Sequence, residues 1–283
     1  MGKENRLVIL GDSGFIGSRL KSRLEREKIK FQSAGRSTTN EFFIDLEDPK
    51  LENLETLSEG DAFIFLAAIS SPETCGKDYD DAYRVNVLST CKIIRFLLEK
   101  KVSVLFASSD VVYGATTRPV DELSSVNPEF EYAEMKTMVE REFELEPNFF
   151  VMRLSYVWSI DDKFTRFVIS SARNQTPIEI FHPFVRSVIS LNDVLDFLLI
   201  FVENAGAMPP IVNLAGPEFI SRKDLILELS KYIALEYRVI APDEEFLLYR
   251  PREVLMRSKY LSTVLGRQPV DVPSEIKSYF GPD

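Results

Sequence analysis

A chain of 283 residues, 45% hydrophobic and 28% charged, is sized for one large α/β domain or for a nucleotide domain with a substrate-binding lobe. Its formal net charge of −10 leaves no basic stripe to displace counterions. Nucleic acid and anionic membrane surfaces are therefore excluded as partners, but a phosphate-bearing small ligand needs only a few local donors and is not.

The chain opens on four apolar residues, 7–10, that read as a buried parallel strand, followed by glycines at 11, 14 and 17. Gly11 permits a tight turn, Gly14 lets the main chain approach a pyrophosphate, and Gly17 lets the next helix, predicted over 15–28, pack closely on the strand. Ser13, Phe15 and Ile16 lie in that turn, where free N–H groups and the positive end of the helix dipole face phosphates. No signal peptide is read here, because the apolar run is short and goes directly into the glycines. Further strands are predicted at 30–34, 42–44, 61–68 and 102–107. A helical piece near 51–57 and a long crossover helix over 83–100 separate them. A helix over 132–146 and a sixth strand at 149–152 continue the alternation of a doubly wound, Rossmann-type parallel sheet. Beyond Leu154 the alternation loosens. Residues 155–186 and 215–283 read as a smaller interleaved lobe, and 192–202 and 211–214 return to the sheet. The nucleotide domain is thus expected over 1–154, completed by about 187–214. The longest later apolar run, 197–202, is far too short to span a bilayer. Two cysteines, Cys75 and Cys91, give no disulfide framework and point to a reducing cytoplasm. A single histidine, His182, speaks against a histidine metal site or a Ser-His-Asp triad, and no metal site is expected.

Two features carry chemistry. Tyr132 and Lys136 are four apart on a predicted helix, so both side chains share one face. An ammonium close to a phenol favours the phenolate and lowers a pKa normally near ~10, so such a Tyr can exchange a proton with a carbonyl or alcohol. No other Tyr in the chain has a Lys four residues on. The fifth strand ends in Ser108-Ser109, which sets hydroxyls at the carboxyl edge of the sheet, where a cofactor of this architecture lies.

The glycine spacing, the Ser109 turn ending in Val112-Tyr113-Gly114 and the Tyr132/Lys136 pair resemble the extended branch of the short-chain dehydrogenase/reductase superfamily, the epimerase/dehydratase type. The resemblance implies that Ser109 bonds the substrate oxygen. It also implies that Asp45-Leu46 lies at the adenine end, that Ala67-Ala68 lets the cofactor rest on a strand end, and that Asn86 is the family's helix asparagine. Arg153, Tyr156 and Arg186 are implied on the substrate side, with Arg186 meeting a nucleotide-sugar diphosphate or pairing with Asp193. The ending Arg250-Pro251-Arg252-Glu253-Val254, with Lys259-Tyr260-Leu261, is similar to that of nucleotide-sugar 4-ketoreductases, the dTDP-4-dehydrorhamnose reductase group. Phe181-His182-Pro183-Phe184-Val185-Arg186 departs from that group toward the broader epimerase pattern, so the sugar is left open.

NAD-selective relatives usually end the second strand with an Asp, whereas this chain has Arg36. A guanidinium suits a 2′-phosphate, so NADP(H) is expected over NAD(H), with Asp12 as a counter-signal. Val111 stands where a dehydratase would need a Glu base. The resemblance therefore implies NADPH-dependent reduction of a nucleotide-linked keto-sugar, serving sugar or cell-surface polysaccharide biosynthesis. Tyr132 donates the proton, Ser109 holds the oxygen, and Lys136 lowers the Tyr pKa and bonds the nicotinamide ribose. A nucleotide-sugar epimerase and a non-catalytic nucleotide-binding subunit remain alternatives, and a homodimer is compatible with all three.

Overall fold

The computed structural model describes residues 5–281. Seven parallel strands form its main sheet: β1 (Leu7–Leu10), β2 (Gln32–Gly35), β3 (Phe42–Phe43), β4 (Ala62–Phe65), β5 (Ser103–Ser109), β6 (Phe149–Leu154) and a last strand, Ile211–Leu214. Their order across the sheet is last strand–β6–β5–β4–β1–β2–β3. The chain order reverses beside β1, and in such sheets a ligand crevice opens there, at the carboxyl ends of the strands.

The central strands β1 and β4 are apolar on both faces because helices cover both. Leu7 and Ile9 of β1 pack with Ala62 and Ile64 of β4, Leu20 and Leu24 of helix α1 (Phe15–Glu27), and Phe197 and Phe201 of the helix Leu191–Asn204. Val8 and Leu10 point the other way, onto Phe63, Phe65 and Ile93, Ile94 and Leu97 of the helix Thr90–Glu99. The return of 191–204 and 211–214 is therefore a helix under one face and an edge strand paired with β6. Among the described residues no helix is long and apolar enough to cross a membrane.

Several boundaries differ from the sequence reading. β4 stops at Phe65; the Leu66 N–H still donates to the Leu10 carbonyl at 2.9 Å, and Leu66 to Ala68 line a cleft. The crossover helix begins at Tyr79 and contains a π-type turn over Arg84–Ser89, where the Thr90 hydroxyl donates to the Val85 carbonyl at 2.9 Å. The helix predicted over 132–146 is Glu131–Glu142. It ends as Phe143 turns in to meet Phe149, 5.3 Å between ring centres. β6 runs on to Leu154, so Arg153 lies within the sheet.

The rest of the chain packs a second core around Trp158, Ile178, Ile180, Leu225 and Ile276. A small sheet, Ile220–Ser221 beside Val185–Arg186 beside Glu253–Val254, joins it to the segment after β5.

Candidate active site

The glycine turn builds the floor of a cleft of about 870 Å³. Gly11 has φ +96°, and a Cβ there would stand 2.9 Å from the Ala67 nitrogen. A Cβ on Gly17 would lie 2.2 Å from the Gly11 carbonyl oxygen, so only glycine lets α1 start this close to β1. The first-turn N–H groups of α1 have no partner inside the helix, and Ser13, Gly14, Phe15 and Ile16 line the cleft beside them. These residues suit a pyrophosphate, and so fit the dinucleotide that the glycine spacing implies. Ala67, Ala68, Asp45 and Leu46 line the same cleft, as do Tyr132 and Lys136.

At its far end Arg36 is exposed beside Ser37 and Thr39. Its guanidinium has no hydrogen bond or ion pair among the described residues. Asp12 also lines the cleft, its carboxylate accepting from the Ser33 hydroxyl at 2.7 Å and standing 3.3 Å from the Lys21 ammonium. Asn86 does not reach the cleft. It is buried, bonding both the N–H and the carbonyl of Ile69 at 2.9 Å, so it braces the loop that forms the wall. Cys75 shares this support, its thiol donating to the Ile69 carbonyl at 3.3 Å.

A second pocket of about 350 Å³ opens on the other side of Tyr132 and shares Ser108, Tyr132 and Leu154 with the cleft. Ser109 faces it from the end of β5, its hydroxyl donating to Asp110 at 3.2 Å. The Lys136 ammonium donates to the Ala107 carbonyl at 2.7 Å and lies 5.7 Å from the Tyr132 ring centre. Burial lowers its pKa to about 8, against the upward pull of Glu140 and Cys75. Burial also raises the Tyr132 phenol well above its usual value, and Cys75 and Asp110 add to the rise. The expected lowering of Tyr132 by Lys136 is not met, because the ammonium is engaged at a backbone carbonyl instead of the phenol. A raised pKa keeps Tyr132 in the protonated form that a proton donor requires.

The far wall of the second pocket is cationic, lined by Arg186, Arg222 and Arg250. Arg186 donates to the carbonyls of Val185 and Pro251, each at 2.7 Å, and stands 3.6 Å from Asp110. Asp193 is paired elsewhere, 2.6 Å from Arg267. Arg250 holds Glu73 at 2.8 Å. Arg222 is packed over the rings of Phe164 and Phe184, at 5.2 and 5.1 Å, with no carboxylate partner among the described residues. It was missed in the sequence. Its signal was Ser221-Arg222-Lys223-Asp224, a helix-capping pattern that sets Arg222 at the first helical position. Tyr156 lines the pocket, its hydroxyl donating to Asp162 at 2.6 Å.

Arg153 reaches neither cavity. It is 4% exposed and bound to Glu140, because a guanidinium inside a sheet must find a carboxylate within the core.

The similarities to known proteins fit this geometry. The model of the NAD dependent epimerase/dehydratase family matches residues 7–215. No curated protein matches the chain by sequence. Among solved structures, dTDP-4-dehydrorhamnose reductase from Bacillus anthracis, in complex with NADP, superposes with a TM-score of 0.82 at 16% identity, covering 98% of this chain and 99% of that one. MoeE5 in complex with UDP-glucose and NAD gives 0.81 at 19% identity over 96% of each chain. UDP-glucuronic acid 4-epimerase from Bacillus cereus, in complex with UDP-glucuronic acid and NAD, gives 0.79 at 19% over 97% of each. At such identities the likeness speaks for the fold, while the family match spans most of the chain. The chain belongs to the NAD dependent epimerase/dehydratase family, and it is an NAD(P)-dependent enzyme of the extended short-chain dehydrogenase/reductase type.

Proposed function

We propose that this enzyme reduces a ketone on a nucleotide-linked sugar, using NADPH, with Ser109, Tyr132 and Lys136 as its catalytic residues. The observation that carries the reading is the position of Tyr132 in the wall common to the dinucleotide cleft and the second pocket. A bound nicotinamide dinucleotide would supply the hydride to the ketone carbon. Tyr132, held protonated by burial, gives its proton to the oxygen as negative charge develops there. Ser109 holds that oxygen, and Lys136 binds the ribose side of the cofactor. Arg222, Arg250 and Arg186 supply a positive wall suited to a diphosphate at the other end of the pocket. Nucleotide sugars in the structures of similar fold agree with such a ligand.

Arg36, without a hydrogen bond or ion pair among the described residues and next to two hydroxyl side chains, favours NADPH over NADH. This preference supports net reduction over epimerisation, in which the same dinucleotide is reoxidised in place. The test combines titration calorimetry with both cofactors and turnover of nucleotide-linked 4-keto sugars. NADPH should bind more tightly, Arg36→Asp should reverse or abolish the preference, and reduced cofactor should be consumed in step with alcohol formed. Tyr132→Phe should leave NADPH affinity nearly unchanged and lower turnover about 10²-fold or more. A variant keeping more than about a tenth of the rate removes the role of Tyr132, and sugar interconversion without net NADPH consumption replaces reduction with epimerisation.

A further inference from the structure

Glu140 and Arg153 form an ion pair that neither cavity touches, 5% and 4% exposed. A buried pair of this kind adds little stability over apolar side chains of equal volume, so its presence calls for another reason. Arg153 donates from Nε to both Glu140 oxygens at 3.2 Å and from Nη2 at 2.5 Å. Its Nη1 donates to the Tyr113 hydroxyl at 2.7 Å, and that hydroxyl donates to the Asp121 carbonyl at 2.8 Å. The Glu140 carboxylate is thereby fixed in position from one side.

On its other side it accepts from the Ser108 hydroxyl. Glu140 follows Lys136 by four residues and Tyr132 by eight on one helix, so the three form a single stripe facing β5. The helix is clipped to that strand twice, by the Lys136 ammonium at the Ala107 carbonyl and by Glu140 at Ser108. The next residue along the strand is Ser109, whose side chain points to the opposite face and into the second pocket.

We propose that Glu140, fixed by Arg153, is a positioning residue for the reaction: it sets Ser109 against Tyr132 through Ser108 and keeps the buried Lys136 ammonium charged. The inference rests on the catalytic reading above. The groups facing Lys136 are Glu140 on its own helix, Cys75 from the helix Pro72–Lys77, the Ala107 carbonyl, and the rings of Phe106 and Tyr132. Glu140 is the carboxylate among them. Removing its charge should let Lys136 lose its proton at lower pH.

The test is NADPH affinity of the wild type and of Glu140→Gln across pH, followed by fluorescence without any sugar substrate. Wild-type affinity should decline as pH rises past about 8, where Lys136 is neutralised, and in Glu140→Gln the decline should move to lower pH. Glu140→Asp, which keeps the charge, should move it back. Ser108→Ala cuts one clip and leaves the ion pair intact. It should lower kcat by a factor of up to about 10² with KM little changed, as a small misplacement of a reacting group does, and its melting temperature should stay close to that of the wild type. A decline at the same pH in the wild type and Glu140→Gln, or an unchanged kcat in Ser108→Ala, reduces Glu140 to a structural residue and overturns the inference. A wild type that binds no NADPH at any pH overturns the catalytic reading itself.

Discussion

The Arg186 guanidinium is held by two backbone carbonyls at 2.7 Å and stands 3.6 Å from a carboxylate buried at 4% exposure, Asp110. Arg222, on the same wall, is packed among aromatic rings and makes no ion pair with a carboxylate among the described residues. The two cations should therefore respond differently to truncation. Arg186→Ala leaves Asp110 buried without its cation, a change that typically costs ~3–5 kcal/mol. Arg222→Ala breaks no ion pair, and should raise the KM for a nucleotide sugar by about one to two decades at a nearly unchanged melting temperature. The loss in Arg186→Ala should also depend on pH. Burial raises the Asp110 pKa in the folded state while Arg186 pulls it down. A carboxyl raised on folding contributes stability below its unfolded pKa, and that contribution is lost as pH rises through the folded value. Without Arg186 the folded value rises further, so Arg186→Ala should lose more melting temperature in mildly alkaline than in mildly acidic buffer. An equal loss at both would mean that Asp110 does not feel Arg186.

At the scale of the element, the turn from β1 into α1 leaves no room for adjustment. Gly17→Ala drives a methyl to 2.2 Å from the Gly11 carbonyl, so the helix must move off the strand. The expected cost is ~1–3 kcal/mol or more, with NADPH affinity falling alongside; calorimetry and cofactor titration check both. A Gly17→Ala protein with wild-type stability and affinity would contradict the close approach. This turn was legible in the sequence because its constraints lie within a few residues of one another. The same holds for Tyr132 and Lys136, which one helical turn brings together. Arg153 was not legible, since its carboxylate arrives from another element of the sheet's surroundings. The π-type turn at 84–89 was also not legible: its extra residue rotates the apolar stripe by about 100°, but no residue type marks the place where it does so. The position of Lys136 was legible and its partner was not: nothing in a four-residue spacing tells a phenol from the Ala107 carbonyl.

Across the whole molecule the chain returns repeatedly to what it has already built. The Thr116 N–H donates to the Glu253 carbonyl and the Val120 N–H to the Leu255 carbonyl, both at 3.0 Å, and the Arg257 N–H donates back to Val120 at 2.7 Å. Val254, Met256 and Leu261 are fully buried. Residues 253–257 thus seal the segment after β5, and Leu261 packs in the same core as β1. Scanning calorimetry should accordingly give one cooperative transition, with calorimetric and van't Hoff enthalpies in agreement. Two resolved transitions would mean that the later segments unfold apart from the sheet. The alternation of strands and helices told how the first half folds. The interleaving of the second half depends on pairings between distant, short strands, for which two-residue segments such as Val185–Arg186 carry almost no pattern.

Cys75, described above as a brace behind the cleft wall, also offers a way to watch that wall move. Its thiol is fully enclosed and burial pushes its pKa up to about 11, so in the closed protein almost none of it is the reactive thiolate. A disulfide reagent can then label it only during moments when the helix Pro72–Lys77 lifts away from Ile69. In a Cys91→Ser background the labelling rate becomes a clock for that breathing, read by mass spectrometry. If NADPH binds in the cleft that Ile69 lines, as proposed, adding it should slow the clock in proportion to its occupancy. A rate indifferent to the cofactor would mean that the wall opens without regard to what it encloses.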